Sequence, residues 1–268
     1  MQNWAQTYAS IYVGTIAVVG VLEWLWPRRP ASHAPAWRWL GNFGVSAIGA
    51  VLVRLLLPLA GAGWAVFARE HVLGLFNHVR VPGWLAFLAT ILALDATAWA
   101  QHYLLHRVPV LWRMHRTHHT DLDVDFSTGV RFHPFEALYT TLILSAAIVV
   151  LGAPPVAVLV SQTITIAADF LEHANLRIPA GLDRALRLFV VTPDMHRIHH
   201  SQDMREGNAN FSNTFSWWDR LFGTYVERPA AGHEAVVFGV EELAEAKHLQ
   251  LHWMLAQPFL EVKPPRRL

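Results

Sequence analysis

The chain has 268 residues, 53% of them hydrophobic and only 15% charged, with a formal net charge of +1 and a mean hydropathy of +0.28. A soluble domain carries about 25% charged residues, so this composition speaks against a disordered chain, and with no basic run longer than two residues it gives no footing to a nucleic-acid partner. There is no cysteine, which rules out disulfides, thiolate nucleophiles and Cys-ligated zinc or iron–sulfur clusters; sixteen histidines and twelve tryptophans are the unusual feature.

Five apolar stretches follow one another at 9–26, 42–60, 84–100, 137–151 and 156–171. A membrane-spanning helix needs about 20 residues, so the first three are adequate, and the first, lacking a basic flank and a cleavage site, reads as a retained span rather than a signal peptide. The fourth has fifteen residues, only about 22 Å as a helix. With the fifth, joined to it by Gly152-Ala153-Pro154-Pro155, it reads as a hairpin that dips into the bilayer rather than crossing it cleanly. Between the second and third stretches, 61–83 mixes apolar and polar residues in the manner of an amphipathic helix on the membrane surface. Arg54 in the second stretch is a buried-charge oddity, read as snorkelling or paired. The expected fold is therefore all-α: an integral, multi-pass membrane bundle of four to five embedded helices with a helical cap. Arg28, Arg29 and Arg38 in one loop and Arg107, Arg113, Arg116 and Arg131 in another put those loops, and the cap, on the cytoplasmic side.

Three histidine clusters lie near the ends of these stretches: His102 and His106; His115, His118 and His119; and His196, His199 and His200. On a helix, positions i, i+3 and i+4 share a face, so each cluster can aim two or three imidazoles at a common centre. Imidazole suits zinc, copper and iron. A hairpin returns the chain to the side it left, which places all three clusters and His173 together. Nine imidazoles exceed the needs of one metal and suffice for two. His33, His71, His78, His233, His248 and His252 stand alone and read as ordinary. Asp95 and Asp169 sit in apolar stretches, where carboxylates are costly and usually paired; hydrogen bonding to His102 and His173, which at helical spacing share their faces, is the expected role.

The segments HYLLHR, LWRMHRTHH, RFHP, EHANL, TPDMHRIHHS and WWDRLFGTY together resemble the fatty acid hydroxylase / sterol desaturase superfamily of membrane di-metal oxygenases. The resemblance covers about Asp95 to Tyr225 and implies a single membrane-embedded domain: 1–83 as N-terminal membrane helices and interfacial segment, 84–228 as the catalytic region, 229–268 as a cytoplasmic tail. It implies two iron ions, with zinc as a surrogate, held by His102, His106, His115, His118, His119, His173, His196, His199 and His200. Some relatives carry a further histidine where this chain has Asp169. His133, Asn210 and Asp219 also fall on family positions and are expected to support the centre or simply to pack and cap. The implied reaction is O2-dependent hydroxylation or desaturation of an unactivated C–H bond in a fatty acyl, sterol or isoprenoid lipid. No dinucleotide loop or haem domain is apparent, so the electrons come from a separate donor protein or reductase. A zinc-dependent membrane hydrolase and a non-catalytic metal-binding or transport protein are the alternatives.

Overall fold

The structure, a computed structural model, describes residues 2–261. Among them there are thirteen α-helices and no strand, only three isolated bridges. In chain order the helices are α1 (Gln2–Leu25), α2 (Pro35–Leu56), α3 (Ala62–Glu70), α4 (Leu75–His78), α5 (Gly83–Arg107), α6 (Pro109–His119), α7 (Pro134–Leu151), α8 (Pro155–His173), α9 (Ala180–Leu186), α10 (Pro193–His199), α11 (Met204–Gly207), α12 (Trp217–Leu221) and α13 (Leu251–Ala256). Four of them, α2, α5, α7 and α8, are long and apolar enough to cross a membrane, and in each the apolar window is only 22–33% buried by protein. Valines and leucines such as Val51, Leu55, Leu88, Leu142 and Val150 therefore face outward, a surface that suits hydrocarbon and is far too apolar for water. The protein is an integral membrane helical bundle. In α1 the apolar part is the shorter Ala9–Leu25.

The hairpin expected at 137–151 and 156–171 is present, and its two helices are longer than the apolar count, at 18 and 19 residues, long and apolar enough to cross a membrane. The difference arises at the N-terminus of α7. His133 caps it, accepting the Phe135 N–H at 3.2 Å, and Pro134 takes the first helical position, where proline is favoured. Pro134, Phe135 and Glu136 add a first turn ahead of the apolar run that starts at Ala137, giving a rise of about 27 Å. The expected amphipathic helix over 61–83 is instead two short helices, α3 and α4, packed back on α7 and α8. Ala65 and Ala68 are fully buried there. Gly74, at φ +86°, lies so close to Gly152 that a Cβ on it would fall 2.1 Å from the Gly152 nitrogen, so the segment seals the turn between the hairpin helices. Arg54 reaches the Pro58 carbonyl at 3.2 Å from an exposed position at the end of α2.

At the opposite ends of the spans lies the cap. Val19 of α1, Phe170 of α8 and Phe126 and Val130 of the intervening 3-10 turn form one apolar core. Above it, Arg38 of α2 donates to Asp121 at 2.8 and 2.9 Å and to Asp125 at 2.7 Å, and Arg131 donates to Asn42 at 2.7 Å and to the Thr117 carbonyl at 2.7 Å. Burial alone would raise the Asp121 carboxyl, but Arg38 and Arg131 beside it hold it well below the ordinary range. Arg38 is thus an internal ion-pair partner and Arg131 a buried donor to Asn42 and backbone carbonyls, and neither is a surface cation facing a membrane.

Candidate metal centre

The three histidine clusters and His173 meet in the cap, just beyond the ends of α5 and α8. They form two groups. His102, His106, His115, His119 and His199 have one ring nitrogen each within 4.8 Å of all the others, and so do His118, His173, His196 and His200. The nine residues assembled are those singled out from the sequence, but the division differs from one centre per cluster. Positions i and i+4 of HRTHH, His115 and His119, join the first group while the i+3 residue His118 joins the second. HRIHH does the reverse, with His196 and His200 in the second group and His199 in the first. Residues i+3 and i+4 are about 100° apart around a helix, so each motif straddles two centres side by side.

The proton positions follow from the outer contacts. The Nδ1–H of His102 donates to the Phe211 carbonyl at 2.9 Å, that of His199 to the Ala209 carbonyl at 2.8 Å, and that of His173 to the Asp169 carbonyl at 2.6 Å. His115 donates to Glu136 at 2.6 Å and His106 to Asn208 at 3.3 Å. A neutral imidazole with its proton on Nδ1 presents a bare lone pair at Nε2. Yet the Nε2 atoms face one another: His102 and His115 at 3.1 Å, His106 and His119 at 3.1 Å, His118 and His173 at 3.1 Å, and His173 and His196 at 2.9 Å. Where Nδ1 donation fixes both tautomers, as for His102 and His115, the two lone pairs repel unless a cation lies between them. Nitrogens bound about 2.1 Å from one ion at right angles sit about 3 Å apart, the spacing found here, so the donor set fits two metal ions. Eight of the nine rings are buried, with His106 half-buried. Burial, reinforced by the neighbouring rings, depresses His118, His119, His196 and His200 well below the usual histidine range and pushes His199 down to about 3. All five are therefore neutral at pH 7, as metal donors must be.

The acids take other roles than expected. Asp95 accepts from Trp218 Nε1 at 2.7 Å and from the Phe215 N–H at 3.2 Å, not from His102; seven residues put the two about 10 Å apart along α5. Asp169 meets His173 through its carbonyl, while its carboxylate accepts from Asn213. His133 stands outside both groups, its Nε2 on the Leu255 carbonyl at 3.3 Å. Asn210, held at φ +53°, ties α10 to 226 through the Met195 and Val226 carbonyls. Asp219 accepts the Phe211 and Ser212 N–H groups at 2.8 and 2.9 Å and Trp99 Nε1 at 3.1 Å, fixing the turn whose carbonyl orients His102. The sequence reading missed Glu136, Asn208 and Glu172. Glu136 stands two residues past RFHP and looks like an ordinary first-turn acid; Glu172 stands beside His173 inside EHANL.

Residues 87–224, half of the chain, match the family described as fatty acid hydroxylase. The chain belongs to the fatty acid hydroxylase family. It is similar to ornithine lipid hydroxylase OlsE of Rhizobium tropici, with 27% identity over 82% of this chain and 67% of the relative. It is also similar to alkylglycerol monooxygenase of Xenopus tropicalis, with 25% identity over 87% of this chain and 49% of that protein, and to cholesterol 25-hydroxylase of Rattus norvegicus, with 27% over 58% and 53%. The chain thus spans about two thirds of the first relative and about half of the other two. No solved structure matches it significantly. A member of this family whose relatives are hydroxylases and monooxygenases is an oxidoreductase, and its histidines are set out as metal donors.

Proposed function

We propose that the chain is a membrane-bound lipid hydroxylase that holds two iron ions and uses O2 with two external electrons and two protons to convert an aliphatic C–H into C–OH, releasing one water. The observation that carries this is the inward convergence of Nε2 lone pairs whose tautomers are set by Nδ1 donation. His102, His106, His115, His119 and His199 would hold one ion, and His118, His173, His196 and His200 the other. Bound iron supplies the redox chemistry that no side chain provides.

The protein's own residues do the rest. Glu136 and the carbonyls of Asp169, Ala209 and Phe211 accept from Nδ1–H and so fix the tautomer and orientation of the rings, while burial holds His199 neutral. Burial of the rings keeps bulk water from the oxidising site. Because α5 and α8 deliver their histidines from the ends of spanning helices, the centre lies at bilayer-surface level, within reach of an acyl, alkyl or sterol chain rising from the lipid. The lipid classes in the relatives' names support such a substrate. Arg28 and Arg29, in the loop beside the cap, support a cytoplasmic centre and a soluble electron donor.

Purified protein supplied with iron, a chemical reductant and a bacterial lipid extract should consume O2 and place one atom of labelled O2 in a lipid alcohol. Iron-loaded protein that consumes no O2, beside zinc-loaded protein that cleaves a lipid ester, would make the chain a hydrolase. An alkene with no labelled alcohol would make it a desaturase.

A further inference from the structure

The two histidine groups are unequal, five against four, and an acid stands beside the smaller. Glu172 lies in the last turn of α8 with its side chain 1% exposed. Neither of its oxygens has a hydrogen-bond partner. Each of the other buried acids around the centre has at least one donor: Asp95 has Trp218, Asp169 has Asn213, Asp219 has two backbone N–H groups and Glu136 has His115. Among the described residues no lysine or arginine pairs with Glu172; the nearest charge-bearing atoms are His173 Nδ1 at 3.8 Å and His196 Nε2 at 3.9 Å. Both belong to the four-histidine group.

A carboxylate taken fully out of water needs a donor or a cation. Here no donor is present, and the one place where a cation fits is the group that lacks a fifth donor. Glu172 Oε1 is 3.9 Å from His196 Nε2 but lies outside the set of donors that are all within 4.8 Å of one another, so ligation takes a rotation of this unbonded side chain toward the ion, since atoms about 2.1 Å from a common centre are at most about 4.2 Å apart. A carboxylate is also a hard, anionic donor, suited to an iron ion otherwise surrounded by neutral rings. We infer that Glu172 is a ligand of the ion held by His118, His173, His196 and His200, which gives each ion five protein donors. This rests on the reading of the nine histidines as iron ligands.

The test is anaerobic loading of metal-free protein with 57Fe(II), reading iron per chain, affinity and Mössbauer spectrum for the parental chain, Glu172→Gln and Glu136→Gln. The parental chain should bind two irons in two environments. Glu172→Gln should lower the affinity of one iron by about tenfold or more and change its doublet, leaving the other untouched. Glu136→Gln, which acts through His115, should disturb the opposite doublet. Metal-free Glu172→Gln should unfold close to the temperature of the metal-free parent, because the replaced carboxyl makes no hydrogen bond in the fold. Two irons with parental affinity and an unchanged spectrum in Glu172→Gln would overturn the assignment while leaving the two-iron centre standing. A parental chain that binds no iron removes both readings. Should Glu172→Gln fail to fold, Glu172→Asp keeps the charge and shortens the reach; a shift confined to one doublet supports ligation, and an unshifted spectrum overturns it.

Discussion

Adjacent histidines in this protein serve different neighbours. His118 and His119 are one peptide bond apart and lie in different groups, as do His199 and His200. Replacing either member of a pair should therefore remove a different ion. His118→Ala and His200→Ala should weaken the four-histidine site, and His119→Ala and His199→Ala the five-histidine site, each lowering bound metal from about two per chain toward one with the helical spectrum kept. Metal analysis combined with Mössbauer spectroscopy distinguishes the pairs; identical spectra for His118→Ala and His119→Ala would contradict the division. Six of the nine residues were legible because the HxxHH spacing is a strong one-dimensional signal; His102 and His106 came from HYLLH, and His173 from its place after the hairpin and the family resemblance. Their allocation was not, because spacing on one helix says nothing about where a partner helix sits. The groups that orient them were legible only in part, since carbonyls at 169, 209 and 211 belong to residues of any type.

The same rings make the metal-free protein sensitive to acid. His118, His119, His196, His199 and His200 have folded-state values depressed by burial and by one another, so below about pH 6.5 the unfolded chain takes up protons that the folded chain refuses. Their stabilising contribution is fully present above that pH and is lost as pH falls toward about 3, where His199 protonates in place. Thermal unfolding of metal-free protein should give a level Tm above pH 7.5 and a steady decline from pH 6.5 to 5. A rising Tm on acidification would contradict the burial of neutral rings.

At the scale of elements, the centre depends on α2, which contributes no histidine. Arg38 and Asn42 of α2 hold Asp121, two residues beyond His119, and Arg131 holds the Thr117 carbonyl inside the histidine helix. Asp121→Ala leaves Arg38 buried with Asp125 as its one remaining carboxylate partner, a loss expected to cost about 3–5 kcal/mol. Denaturant unfolding in detergent should show the loss, together with weaker binding of both ions because α6 donates to each. Close approach matters equally at Gly129, where a Cβ would fall 2.4 Å from the Asp169 carbonyl that orients His173. Neither dependence was legible: Arg38 reads as one more loop cation until the fold places Asp121 over it. The hairpin lengths were under-read for a related reason, because α7 begins with His133 as cap and Pro134, neither of which enters an apolar count.

Across the whole molecule, contacts sort the loops onto two sides. Arg28 pairs with Asp194 at 3.1 Å and Ser32 donates to Asp123 at 2.8 Å, so the loop after α1 lies with the cap. On the opposite side, α3 and α4 close on the α7–α8 turn. The apolar patterning made the bundle readable in advance, since lipid imposes helices; sidedness relative to the cell needs a label. The absence of native cysteine makes single replacements unambiguous. A cysteine at exposed Glu70 should react with a membrane-impermeant maleimide in intact cells, and one at exposed Glu242 only after lysis. The reverse pattern would place the histidine centre outside the cytoplasm.

The last residues to join either group are His199 and His200, at the end of α10 and only after the α7–α8 hairpin. During synthesis a nascent chain ending before residue 199 offers four donors at one centre and three at the other, with no backbone connection through α10 to hold them in register. The final turn of a seven-residue helix thus acts as a clasp that completes both centres in consecutive peptide units. Neither group therefore has its full set of donors until the hairpin helices have been made.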